Sequence, residues 1–284
     1  MTHPALTANS VALVTGGASG IGLAAAQKFA SLGMKLAIVD QNDTKLAAAE
    51  TLLRDAGAAA VMLSKTDVSQ RDQVEALKDA VASSLGGVDI LMNNAGIGGN
   101  SSCLGTFDQW QAILGVNFHG ILNGVQVFAP DMIARGRPGA IINTGSKQGI
   151  TTPPGNPAYN VSKAAVKAFT EALAHELRNT DGCRISAHLM IPGFVYTGMT
   201  GMDKNGADAK PASAWTASQT VDFMVESLNR GDFYILCPDN DVPRALDEKR
   251  IAWNAGDLIE NRPALSRWHP DYKDAFAAFV QRDG

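Results

Sequence analysis

In the run AYNVSK, residues 158–163, Tyr159 stands four positions ahead of Lys163. That separation puts two side chains on one face of a helix. A free phenol titrates near ~10 and a free lysine near ~10.4, so neither is a proton acceptor at neutral pH unaided. Placed together they could be one: a neighbouring ammonium favours the phenolate, and lowering the phenol by ~3 pH units takes roughly 4 kcal/mol. The same spacing also occurs on helices that do no chemistry, so the pair alone leaves both readings open.

A second group of residues has the makings of a nucleotide site. The run TGGASGIG, residues 15–22, places Gly16, Ser19, Gly20, Ile21 and Gly22 between an apolar strand candidate and a helix candidate. Glycines there let the backbone turn sharply and approach a pyrophosphate, which the free N–H groups and dipole of the helix start would hold. The spacing is G-x-x-x-G-x-G, not the G-x-G-x-x-G of the dinucleotide fingerprint. Asp40 ends the next apolar run, where a carboxylate can accept from adenosine ribose hydroxyls. A 2'-phosphate would meet that negative charge, and Gly17, Ala18, Ser19 and Gln41 offer no cation to offset it. The expectation is NAD(H) in preference to NADP(H). Asp67 and Val68 end the third run, with Asp67 expected at the adenine edge. Taken singly, each of these fits an ordinary tight turn equally well.

The elements that must position these residues follow from periodicity. Apolar runs at 11–15, 35–40, 60–68, 88–96, 139–146, 183–193 and 232–237 read as buried strands bounded by Gly, Asp or Pro. Amphipathic runs at 22–33, 43–57, 71–86, 120–136, 158–179 and 218–231 read as helices. The alternation predicts a doubly wound α/β fold of the Rossmann type: a seven-stranded parallel sheet with helices on both faces. Ligands in such sheets bind beyond the carboxyl ends of the strands. A single domain is expected over 1–237, with an extension at 238–284. That tail carries Trp253, Trp268, Tyr272, Phe276 and Phe279 and is too apolar to be disordered. It should dock on its own or a neighbouring subunit. Residues 198–215 are small, polar and aperiodic, a lid candidate.

Composition excludes several functions. Of 284 residues, 45% are hydrophobic and 18% charged, and 24 Lys+Arg against 28 Asp+Glu leave a net charge of −4. That balance gives no electrostatic case for nucleic acid or an anionic membrane. Cys103, Cys183 and Cys237 show neither disulfide pairing nor metal-ligand spacing, which fits a reducing compartment. With no signal-like start and no apolar run long enough to span a bilayer, a cytoplasmic protein without an anchor is expected.

Taken in order, TGGASGIG, NNAG at 93–96, Asn117, Ser146, YNVSK at 159–163 and PGFVYT at 192–197 resemble the short-chain dehydrogenase/reductase family, over roughly residues 8–237. The resemblance implies that Tyr159 is the general acid/base and that Lys163 supports it and holds the nicotinamide ribose. It implies that Ser146 bonds the reacting oxygen and that Asn117 positions a water linking the lysine to solvent. Asn94 and Gly96 would shape the passage of the cofactor. Pro192, Gly193, Val195 and Thr197 would meet the nicotinamide carboxamide. Asn117 could instead be an amide bonded to backbone. Lys147 is not expected to share the role of Ser146, since consecutive strand residues point to opposite faces. His119, His175 and His188 are read as polar groups outside the chemistry, and no metal is expected.

The expected activity is hydride transfer between NAD(H) and a secondary alcohol or ketone. The pocket segments 96–105 and 147–157 carry no arginine clamp, so an uncharged, moderately apolar substrate is expected. Lys147, Lys204 and Lys210 keep a 3-oxoacyl-type reductase of a carrier-linked substrate open as the alternative. A non-catalytic NAD-binding protein would have lost Ser146, Tyr159 or Lys163, and all three are present. A homodimer or homotetramer is expected through the helices starting near 120 and 158.

Overall fold

The computed structural model describes residues 2–200 and 210–281. Its strands are β1 (Val11–Thr15), β2 (Lys35–Asp40), β3 (Ala60–Lys65), β4 (Ile90–Asn93), β5 (Gly139–Thr144), β6 (Ile185–Ile191) and β7 (Tyr234–Leu236). All pair in parallel, in the order β3-β2-β1-β4-β5-β6-β7. The fold is the expected seven-stranded, Rossmann-type sheet.

A parallel sheet covered on both faces needs strands apolar on both sides, and β1 supplies them: all five residues of VALVT are buried. Val11 and Leu13 point to one face and Ala12 and Val14 to the other. On the first face lie α3 (Arg71–Leu85), α5 (Gly120–Ala134) and α7 (Pro157–Arg178), through Leu77, Val125, Phe128, Val166 and Leu173. On the second lie α1 (Gly20–Ser31), α2 (Asp43–Asp55) and α8 (Ala217–Arg230), through Phe29, Leu53 and Met224. Burying each such large side chain contributes about 1.5–3 kcal/mol, so this two-sided burial is what selects the fold.

Caps set several helix starts. Asn42 accepts the Lys45 amide at 2.9 Å to open α2. Thr216 and Gln219 form a reciprocal capping box at α8. β1 and β2 end where periodicity predicts, and the later strands end sooner. β5 ends at Thr144 and β3 at Lys65, so Ser146 and Asp67 lie two residues past their strands. Reaching the helices, the segment before α5 is itself helical: α4 (Phe107–Leu114) runs through a π turn, Gly115–His119, directly into α5. Gly115 and Asn117 interrupt the apolar periodicity that would have revealed it. The short helix α6 (Gln148–Thr151) follows β5.

The tail beyond β7 folds into α9 (Arg244–Ile259) and α10 (Lys273–Gln281) and docks on its own chain. Trp253 is buried against Phe276 and Phe279 with the Arg262 guanidinium 4.0 Å from its ring centroid. Asn254 Nδ2 donates to Ile150 O at 3.1 Å, joining α9 to α6. Of the lid candidate 198–215, residues 201–209, Lys204 among them, lie outside the described residues.

Candidate active site

The strand order reverses between β1 and β4, and beyond the carboxyl ends of such a switch is where open parallel sheets bind ligands. A cleft of about 800 Å³ opens there, reaching from Asp40, Gln41 and Lys45 past β2 to Ser146, Tyr159 and Phe194 past β5 and β6.

At its first turn the backbones after β1 and β4 touch. The Thr15 hydroxyl accepts from the Asn94 and Ala95 amides at 2.9 and 3.0 Å, and Asn94 Nδ2 donates to Thr15 O at 3.1 Å. Gly16 adopts φ +62°, and a Cβ there would lie 3.0 Å from Ala95 Cα. Only glycine meets both conditions. Ser19 precedes α1 in extended backbone without capping it through its side chain, which leaves the first N–H groups of the helix for an anion. Gly16, Ser19, Gly20 and Ile21 line the cleft; Gly22 is buried just inside the helix.

Asp40 ends β2 with Oδ1 accepting from the Asn42 amide at 3.1 Å and Oδ2 3.4 Å from the Ala18 amide. The carboxylate is thereby held at the mouth of the glycine turn. Lys45, which the sequence reading passed over, lines the same end; the Asn42 cap that begins α2 sets it there. Asp67 differs from expectation. Its Oδ1 accepts from the Ser69 amide at 2.9 Å and from the Ser69 hydroxyl at 2.8 Å, and its own N–H goes to Gln73 Oε1. The carboxylate turns the chain toward α3, and the cleft is lined by Thr66 and Val68 on either side of it.

The chemical end is built on α7. Pro157 occupies its first turn, and the Ala158 amide donates to Ser101 Oγ at 3.0 Å. Lys163, one turn beyond Tyr159, is only 4% exposed; its Nζ donates to Thr144 O at 2.8 Å and stands 5.7 Å from the Tyr159 ring centroid. Burial pulls the Lys163 ammonium down to about 8, which leaves about nine in ten molecules charged at pH 7. The phenol moves the other way from expectation. Burial raises Tyr159, and the hydrogen bond with Ser146 offsets this only in part. The Lys163 ammonium is committed to the Thr144 carbonyl and stands over the ring 5.7 Å from its centroid, and desolvation of the phenolate wins.

Ser146 Oγ accepts from the Gln148 amide at 3.2 Å, which leaves its proton to donate. α6 lies so close to α7 that a Cβ on Gly149 would collide with the Lys163 carbonyl group. That contact, unread in the sequence, sets Ser146 against Tyr159. Lys147 is not on a strand at all; it is set apart from Ser146 by ion pairs to Asp239 and Asp247. Lys210 Nζ donates to Pro211 O and Ala214 O.

Asn117 sits in the π turn, fully buried. Such turns recur at functional sites. Its Oδ1 accepts from the Ile97 amide at 2.8 Å, and Nδ2 donates to Ile97 O and to Ser162 Oγ. The backbone-bonded alternative describes its side chain, which pins the strand-end loop beside Lys163. Asn93 and Asn143 join β4 to β5, and Asn143 donates on to Thr170 of α7. After β6, Pro192, Gly193, Val195 and Thr197 line the cleft, with Gly96 and Asn94 opposite. A short bridge, Val195 to Trp215, holds this loop. His188 is buried between Ser186 and the Asp232 carbonyl, His175 is exposed on α7, and neither these nor His119 line the cleft.

A family model described as short chain dehydrogenase matches residues 10–207. The 3beta-hydroxysteroid dehydrogenase 2 of Eggerthella lenta is 35% identical over 197 residues, 69% of this chain and 74% of that protein. The crystal structure of a short chain dehydrogenase/reductase from Burkholderia phymatum in complex with NAD superposes with a TM-score of 0.80 at 32% identity, covering 91% of this chain and 96% of that one. L-Sorbose reductase from Gluconobacter frateurii, complexed with NADPH and L-sorbose, gives 0.71 at 29% identity, covering 81% and 92%.

Proposed function

The chain belongs to the short-chain dehydrogenase/reductase family, and from that premise we propose that it interconverts a secondary alcohol and its ketone with NAD(H) in preference to NADP(H). The observation that carries the reading is Tyr159, Ser146 and Lys163 gathered at one end of a cleft whose other end holds the Asp40 carboxylate and the uncapped start of α1.

The residues present suit a dinucleotide. The α1 N-terminus and Gly16–Gly22 would take the pyrophosphate, Asp40 the adenosine ribose, and Thr66 and Val68 the adenine. Lys163 would take the nicotinamide ribose, and Val195 and Thr197 the carboxamide. When bound, the nicotinamide supplies a hydride acceptor or donor and, oxidised, a positive charge. Tyr159 gives or takes the proton at the substrate oxygen. Ser146, one of its two lone pairs taken by the Gln148 amide, keeps its proton to donate to that same oxygen and stabilises charge developing on it. Because burial alone raises the phenol, its working state depends on Lys163 staying charged and on the positive charge of the oxidised cofactor.

An uncharged substrate fits the lining. Ile97, Gly98, Gly99, Phe194 and Met199 line the cleft, while Lys147, which also lines it, has its charge taken up by Asp239 and Asp247, and Lys210 is bonded to backbone carbonyls. That withdraws two of the three lysines favouring a carrier-linked substrate. Val161, Ala165, Ala168 and Ala172 form an apolar stripe on the open side of α7, which supports a homodimer or homotetramer. The free cysteines support a cytoplasmic setting. A panel of secondary alcohols and ketones assayed with both coenzymes tests the function: NADH formation or consumption on uncharged members is expected. Tight NAD binding with no turnover across the panel would instead support a non-catalytic protein.

A further inference from the structure

A buried ion cluster joins the C-terminal extension to the catalytic loops. Lys147, adjacent to Ser146, places its Nζ 2.6 Å from Asp247 Oδ2 of α9 and 3.2 Å from Asp239 Oδ2. The two carboxylates are 7% and 5% exposed. The same Asp239 oxygen accepts the Phe194 amide at 3.1 Å, and its other oxygen accepts the Val242 amide at 2.9 Å. Gly193 lies directly on the pair: a Cβ there would come within 2.5 Å of Asp239 Oδ2 and 2.9 Å of Lys147 Nζ. Next door, Asn240 donates to the carbonyls of Ala212 and Ala214, and Trp215 exchanges backbone bonds with Phe194 and Tyr196.

One carboxylate thus holds both the residue beside Ser146 and the loop that carries Val195 and Thr197. We propose that Asp239 and Asp247 are positioning residues that, through Lys147, fix the spacing between the Ser146 loop and the nicotinamide-side loop. The extension then acts on the nicotinamide half of the site without lining it. Each substitution removes one of the two buried carboxylates that balance Lys147, and Asp239→Asn also weakens the acceptor of the Phe194 amide, so the loops on either side shift while the adenosine half, beyond β1 and β2, stays as it is. This rests on the cofactor reading above, and its test separates the two.

The test compares binding of NADH, which spans both halves, with ADP-ribose, which lacks the nicotinamide, in wild type, Asp239→Asn and Asp247→Asn. The expected result is at least tenfold weaker NADH binding in Asp239→Asn and about threefold in Asp247→Asn, with reduced fluorescence of bound NADH and ADP-ribose affinity within twofold of wild type. Asp247→Asn, which leaves the bonds from the Phe194 and Val242 amides to Asp239 in place, carries the test if Asp239→Asn does not yield folded protein. Folded variants with the wild-type ratio of the two affinities, or with equal losses for both ligands, overturn the proposal. Wild-type protein that binds neither ligand overturns the cofactor reading itself.

Discussion

Lys163 Nζ donates to the carbonyl oxygen of Thr144 at 2.8 Å while standing 5.7 Å from the centroid of the Tyr159 ring. The last residue of β5 therefore anchors the lysine, and the lysine is a held charge near the phenol, not a base.

Tyr159→Phe removes the proton-transferring group and keeps the ring's packing. Turnover is expected to fall by about 10²–10⁴-fold or more, with NADH affinity within a few-fold of wild type by fluorescence titration. Ser146→Ala is expected to cost about 10²–10³-fold in kcat. Near-normal turnover in the tyrosine variant would falsify the assignment.

The pH dependence of Lys163 has a definite sign. Its folded value, about 8, lies below the ordinary 10.5, so between these pH values the unfolded chain binds more protons and stability rises with pH. The cost of burying the ammonium is fully present below about 8. Against Lys163→Met, wild type should gain about 2 kcal/mol between pH 7 and 9.5, read from urea unfolding at the two pH values. A gap that stays constant or widens in the opposite sense contradicts the burial.

Asp40 is expected to govern coenzyme choice. Asp40→Ala removes the charge that repels a 2'-phosphate and leaves Lys45 at the same end of the cleft. Its kcat/KM with NADH should drop about tenfold, ~1.4 kcal/mol, while that with NADPH rises. Wild-type preference for NADPH in parallel kinetics would contradict the reading of Asp40.

Asn117→Ala leaves the Ile97 amide and carbonyl without their buried partner. A loss of about 1–3 kcal/mol in stability is expected, together with a lower kcat as the loop beside Lys163 loosens. Differential scanning calorimetry and steady-state kinetics on one preparation check both. Lower kcat with unchanged stability would point to a proton path in place of an anchor.

Most of the framework was legible in the chain itself. Strands such as VALVT, apolar on both faces, and the strand-helix alternation dictate a parallel sheet covered on two sides, because burial of those faces is local to each element and repeats with its period. Tyr159 and Lys163 share a face because a helix has 3.6 residues per turn. The glycine turn and Asp40 fall at strand ends for the same kind of reason. Contacts between distant segments decided the rest. Asn117 turned to Ile97, and Lys147 to two carboxylates about 90 and 100 residues away, choices made by which polar groups burial left without water. The phenol of Tyr159 rises because its surroundings are dry, and dryness belongs to the assembled cleft. Residue types and spacing determined which groups are available for the reaction; only packing decided which of them are already spoken for.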